Sequence, residues 1–192
     1  MVAREVLLSC AVLCLCLSMI CADETKSKNV VKETKAKVTQ TPKACYEALG
    51  VQTGGLDDND ISASSKLENF TATDAWCSPT TDENQYLQID LGEKTKLTRI
   101  ATQGDLQKPD KHVKSFALLY SNDGKKFQTY GTSGNEEIFD GNVDSFTVHH
   151  NNLKTPVIAR YVRINPRTWE KGICLRVELY GCDRKYHLTK RL

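Results

Sequence analysis

Apolar and polar residues alternate along several short stretches of this chain, the period-two pattern of strands with one buried face. Residues 86–92, YLQIDLG, put Leu87, Ile89 and Leu91 on one side. Residues 114–121, KSFALLYS, align Phe116, Leu118 and Tyr120, then run into Asn122-Asp123-Gly124, a hairpin turn signal. KKFQTYG (125–131) supplies the returning strand. In VIARYVRINP (157–166), Ile158, Arg160, Val162 and Ile164 share one parity, and the strand is predicted to stop at Pro166. ICLRVELYG (173–181) turns Leu175, Val177 and Leu179 inward and leaves Cys174, Arg176, Glu178, Tyr180 and Cys182 on the other face. No internal repeat or long amphipathic helix is legible. Short strands broken by Gly, Asn, Asp and Pro turns predict an all-β antiparallel sandwich or jelly roll.

The first residues change the picture. An apolar run over residues 6–20 follows a single early arginine and precedes Ala22. It is shorter than the roughly 20 residues a membrane span needs, so residues 1–22 read as a secretory signal peptide. The expected location is extracellular. Residues 23–44, rich in Lys and Thr and without aromatics, read as a disordered arm. Residues 45–182 form one domain, and residues 183–192 a basic C-terminal tail.

Charge is nearly balanced, with 26 Lys and Arg against 24 Asp and Glu, which points away from nucleic acid as a partner. Of eight cysteines, Cys45, Cys77, Cys174 and Cys182 lie beyond the signal peptide, and an oxidising compartment predicts two disulfides. If residues 174–182 are a strand, its two cysteines stand ~25 Å apart, whereas a disulfide needs Cα atoms within about 7 Å. Cys174 and Cys182 therefore each bond to Cys45 or Cys77, and both arrangements remain open. A zinc site fits poorly, because its ligands usually come as close pairs.

Several stretches, taken in order, resemble the discoidin family, also called coagulation factor V/VIII C-type domains. They are CYEALGVQTGGLDDNDISASS, YLQIDLG, RIATQG, FALLYSNDGKKFQTY, FDGNVD, PVIARYVRINPRTW and CLRVELYGC. The resemblance covers residues 45–182. It implies a distorted eight-stranded antiparallel jelly-roll barrel of the galactose-binding-like kind, closed at its base by Cys45–Cys182. The pattern AWC…CLRVELYGC is similar to that of discoidin-domain receptors and implies Cys77–Cys174 as the second bridge. It also implies ligand loops at the far end of the barrel: residues 64–75, 104–114 and 167–172.

Within those loops, Leu67, Phe70 and Leu106, with Lys66, Lys108, Lys111 and His112 nearby, form a modest key for phosphatidylserine, as in membrane-binding relatives. Asn69-Phe70-Thr71 is a glycosylation sequon, and a glycan at Asn69 obstructs insertion beside Phe70. Collagen recognition carries over poorly, since Leu67 stands where the receptors have Trp; Asp74 alone matches. Phe70, Asp74, Lys111, His112, Arg167 and Trp169 offer an aromatic and polar site for a glycan or glycoprotein. Trp76, and by weight of precedent Trp169, read as packing residues.

Other signals lead to turns or to nothing. LDDND (56–60) reads as turn chemistry, with a structural calcium left open and no cofactor expected. His149 and His150 point to opposite faces of a strand and are badly placed for one ion. GTSG (131–134) is no nucleophile elbow, and no nucleophile–base–oxyanion set can be assembled, so catalysis is not expected. The expected function is non-catalytic adhesion or recognition of a cell-surface or matrix glycan or glycoprotein. Anionic phospholipid binding and a structural role in the extracellular matrix, held by the basic arm, are the alternatives.

Overall fold

The structure, a computed structural model, describes residues 45–67, 70–71, 73–132 and 134–182. The expected signal peptide, arm, basic tail and Asn69 lie outside the described residues. In chain order the strands are β1 (Glu47–Ala48), β2 (Ile61–Ala63), β3 (Trp76–Cys77), β4 (Leu87–Gln103), β5 (His112–Ser121) and β6 (Gln128–Thr129). They continue as β7 (Gly131–Thr132), β8 (Asn135–Glu136), β9 (Ile138–Asp140), β10 (His149–Glu170) and β11 (Cys174–Cys182). One 3-10 turn, Asp58–Asp60, is the only helix among the described residues. There the Asp60 carboxylate accepts from the Asp57 N–H at 3.0 Å, so this acid serves the turn.

The nine-stranded antiparallel sheet runs β1-β11-β4-β10-β5-β6, with β2 added to β4, β3 to β11 and β9 to β5. β7 and β8 form a separate hairpin. The long strands β4 and β10 let one sheet wrap a single core: the start of β10 pairs with β4, whereas Tyr161 to Ile164 pair with β4 and β5 together. This is the jelly-roll class the alternation predicts. Among the described residues its main hydrogen-bonded path ends on β1 and β6 instead of closing into a barrel. These two end strands are only two residues long, which blunts them against pairing with other chains.

Trp76, Leu97, Ile100, Phe116, Leu118, Val162, Ile164, Leu175 and Leu179 are fully buried in one cluster. Each such side chain contributes about 1.5–3 kcal/mol through removal from water. Phe116 stacks on Phe139 with ring centres 5.4 Å apart.

Three expectations need correction. Ile158 and Arg160 do not share a face with Val162 and Ile164: Ile158 is half exposed, and Val157 and Ala159 are buried in its place. A register shift between Ala159 and Tyr161 reverses the parity, as an inserted strand residue must. Nor does the strand stop at Pro166, since β10 continues to Glu170. Past Ile164 it pairs only with β5, so a residue without an N–H is tolerated on the free side. Finally, Cys174 and Glu178 on the outward side of β11 are buried, because β3 and the 50–52 turn cover them.

The Asn122–Gly124 turn forms as its sequence predicts, with Gly124 at φ 69°. The Asp123 carboxylate accepts from the N–H groups of Lys126 and Lys125, each at 2.9 Å, which lowers its pKa to about 2. Asp90 is lowered by the Arg160 guanidinium, which donates to it at 2.7 and 2.8 Å. Depressed carboxylates contribute stability above their unfolded pKa, near ~4, and lose it as pH falls through the folded value. The melting temperature is therefore expected to hold between about pH 7 and pH 5 and to fall below about pH 4. Asp90→Asn should start lower at neutral pH and lose less on acidification; an acid limb as steep as wild type would remove Asp90 from the account.

Candidate functional site

Strand register gathers four connections at one end. β4 stops at Gln103 and β5 starts at His112, which lies opposite Glu170 at the end of β10. β11 starts at Cys174, opposite Cys77, and β10 starts at His149, opposite Thr102. The described residues of 64–75 therefore meet 104–111, 142–148 and 171–173 there. Cys45–Cys182 lies toward the opposite end, where Cys182 faces Lys96. Cys77–Cys174, with Cα atoms 4.2 Å apart, sits directly beneath the loops.

Each loop is locked by its own polar groups. Gly104 allows the 142–148 segment to close in, since a Cβ there would lie 2.6 Å from Ser145 Cα. The buried Ser145 hydroxyl donates to the Pro109 carbonyl at 2.8 Å, and Asn142 Nδ2 donates to the Thr147 carbonyl at 2.7 Å. Asp105, also buried, accepts from the Gln107 N–H at 2.9 Å and meets the Lys108 ammonium at 3.4 Å. Lys171 adopts a positive φ of 49° at the β10–β11 turn, with its ammonium 3.0 Å from Asp110. On the other side, Trp76 Nε1 donates to the Ser65 carbonyl at 2.7 Å, and Thr71 donates to Asp74 at the same distance.

Between residues 64–75 and 104–111 opens a pocket of about 330 Å3. Leu67, Phe70, Asp74 and Lys108, all singled out from sequence, line it together. Leu106 stands in the same loop outside the lining and is 45% exposed; Lys66 and Lys111 are exposed. His112 is buried, with Nδ1 lacking a hydrogen-bond partner. Arg167 and Trp169 are not brought to the pocket. Arg167 binds Glu136 through two contacts of 2.9 and 2.7 Å, and Trp169 packs against the core.

Sequence reading missed the polar lining residues Asp105, Gln107 and Arg176. For Arg176 a signal existed, because it shares a face of β11 with Cys174, whose bridge partner Cys77 lines the pocket. The exposed apolar side chains of the 142–148 loop, Val143, Phe146 and Val148, were also missed. Asp105 lies close to the sulfurs of Cys77 and Cys174, but these are bonded to each other and offer no thiolate to a metal.

A jelly roll with bridged ends and a polar pocket among loops at one end defines a discoidin-type domain. The F5/8 type C domain pattern matches residues 52–179, and the chain belongs to that family. Discoidin, CUB and LCCL domain-containing protein 2 of Rattus norvegicus is 37% identical over 159 residues, covering 72% of this chain and 21% of that protein. Neuropilin-2 of Homo sapiens is 38% identical over 151 residues, covering 72% and 16%. Among solved structures, recombinant discoidin II of Dictyostelium discoideum matches with a TM-score of 0.54 at 26% identity, covering 64% of this chain and 55% of that one. The chain thus spans about a fifth or less of the two curated relatives.

Proposed function

We propose that this chain is an extracellular, non-catalytic recognition protein that binds a cell-surface or matrix glycan, free or on a glycoprotein, through its loop-end pocket. The domain is residues 45–182, delivered by the signal peptide at 1–22. The observation that carries the reading is the convergence of Phe70 with Asp74, Gln107, Lys108 and Arg176 around one concave space. An aromatic surface beside fixed donors and acceptors suits a sugar ring, which is apolar on its faces and polar at its rim. Two disulfides suit an oxidising compartment.

Glycan-array binding by the secreted protein is expected to fall at least about 10-fold, or 1.4 kcal/mol, in Asp74→Ala and in Phe70→Ala. Leu106→Ala, outside the lining, should change it little. Array binding indifferent to Asp74 and Phe70, or absent altogether, overturns the proposal. The second reading, an anionic phospholipid surface, is favoured by the exposure of Leu67 (43%) and Leu106 (45%) at the same end. It predicts binding to phosphatidylserine vesicles that weakens in Leu67→Ala and Leu106→Ala.

A further inference from the structure

We infer that the pocket continues past Arg176 onto the outer face of β4 and β11, and that this extended cleft takes an acidic glycan chain whose carboxylate or sulfate sits on Arg176. The inference rests on the glycan reading above and narrows it. A second cavity, of about 240 Å3, exposes mostly apolar surface, with Ala48, Val148, Val177 and Tyr180 in its lining beside the polar Gln52 and Glu178. Arg176 lines both cavities. The second one runs down β11 from Arg176, opposite Gln103, to Tyr180, opposite Arg99. One group thus joins a polar pocket at the loop end to an apolar groove along the sheet.

Arg176 is the group with something left to bind. Its Nε is buried without a hydrogen-bond partner, and no carboxylate among the described residues pairs with it. The nearby acids are engaged elsewhere: Asp105 with Lys108, Asp74 with Thr71, and Glu178 with backbone N–H groups. A buried donor without an acceptor is costly, more so when charged, and such exceptions call for a missing partner. A guanidinium presents a planar fork that fits a carboxylate or sulfate through two parallel hydrogen bonds. Lys108 adds a second cation to the same pocket.

A chain is favoured over a lone anion because apolar surface lies on both sides of the arginine, Phe70 in one cavity and Tyr180 in the other. The Tyr180 ring is held between His150, 5.9 Å away and edge-on, and the Arg99 guanidinium at 5.8 Å. A ring fixed before binding loses little freedom when a sugar stacks on it. A bilayer resting on the exposed Leu67 and Leu106 tips would meet only the loop end of this cleft. That geometry favours a glycan over a lipid headgroup as the source of the anion.

The test uses the full chain on an array of sialylated, uronate-bearing and sulfated oligosaccharides, each beside its uncharged parent. Phosphatidylserine vesicles form a separate arm. Wild type is expected to prefer an acidic member over its parent by at least about 10-fold. Arg176→Gln should reduce the ratio of acidic to parent binding to within about twofold of one. The basic arm is common to both proteins, so it cancels from the comparison. Tyr180→Ala should weaken longer oligosaccharides more than disaccharides, which keeps the proposal open to test if Arg176→Gln fails to fold. Equal binding of acidic and neutral glycans, or an intact preference in Arg176→Gln, overturns the inference and leaves the glycan reading standing. Arg176-dependent vesicle binding with no glycan bound overturns both.

Discussion

Glu178→Ala is expected to destabilise the protein by about 3–5 kcal/mol, because it leaves several backbone N–H donors without their acceptor. Its buried carboxylate accepts four backbone N–H groups: Gly50 at 3.2 Å, Val51 at 3.1 Å, Gln52 at 2.9 Å and Leu179 at 2.9 Å. The first three belong to the turn that carries the chain away from β1. That turn is tight, with Gly50 at φ 103° and so near Gly55 that a Cβ would lie 2.8 Å from its Cα. A turn of this shape directs its three N–H groups onto the one carboxylate. Each hydrogen bond to a charged group contributes about 1.5–3 kcal/mol, and four sharing one carboxylate fall short of additivity. Glu178→Gln retains one acceptor oxygen and should lose roughly half as much. Urea unfolding of the three proteins, with equal m-values, measures this; a loss under about 1 kcal/mol in Glu178→Ala would show that the turn holds itself.

The parts of the fold that were legible from sequence are those set by local alternation. Leu87 and Ile89, Phe116 and Leu118, and Leu175, Val177 and Leu179 face the core as their spacing requires. The turn at Gly124 was legible because only a few residues tolerate its backbone. What was not legible depends on neighbours far away in sequence. The bulge at Ala159–Tyr161 reverses a pattern that reads smoothly along the chain, and nothing local marks it. The length of β4 is hidden because its second half, EKTKLTRIATQ, alternates weakly and is stabilised by β10 and β11 on its two sides. Glu178 looks like a solvent-facing residue until the 50–52 turn is laid over it.

The site divides the same way. Leu67, Phe70, Asp74 and Lys108 were found because resemblance located their loops. Arg167 and Trp169 sit in a stretch that resemblance also marked, yet β10 carries them away to Glu136 and the core. Arg176 was overlooked because a charged residue on the outer face of a strand normally faces water. Only the folded sheet shows its Nε enclosed.

Removing the two disulfides one at a time should separate stability from recognition. Cys45–Cys182 closes 137 residues and Cys77–Cys174 closes 97, so chain entropy alone makes each worth about 4–5 kcal/mol, and removing either typically costs about 2–5. The two variants differ in where the released chain lies. The Cys45→Ser/Cys182→Ser pair frees the end remote from the loops, where Thr98 still donates to the Cys45 carbonyl and β1 still pairs with β11. Ligand affinity there should stay within about twofold of wild type once the protein is folded. The Cys77→Ser/Cys174→Ser pair frees β3, which is two residues long and pairs only with Cys174 and Leu175. Cys77 also lines the pocket, and the adjacent Trp76 anchors the 64–75 loop through Ser65. Loss of this bridge should therefore lower glycan affinity at least about 10-fold, beyond the fraction unfolded. Binding measured well below both melting temperatures decides the matter. Equal affinities would mean that the Trp76–Ser65 hydrogen bond and the buried indole set the loop without help from the bridge beneath them.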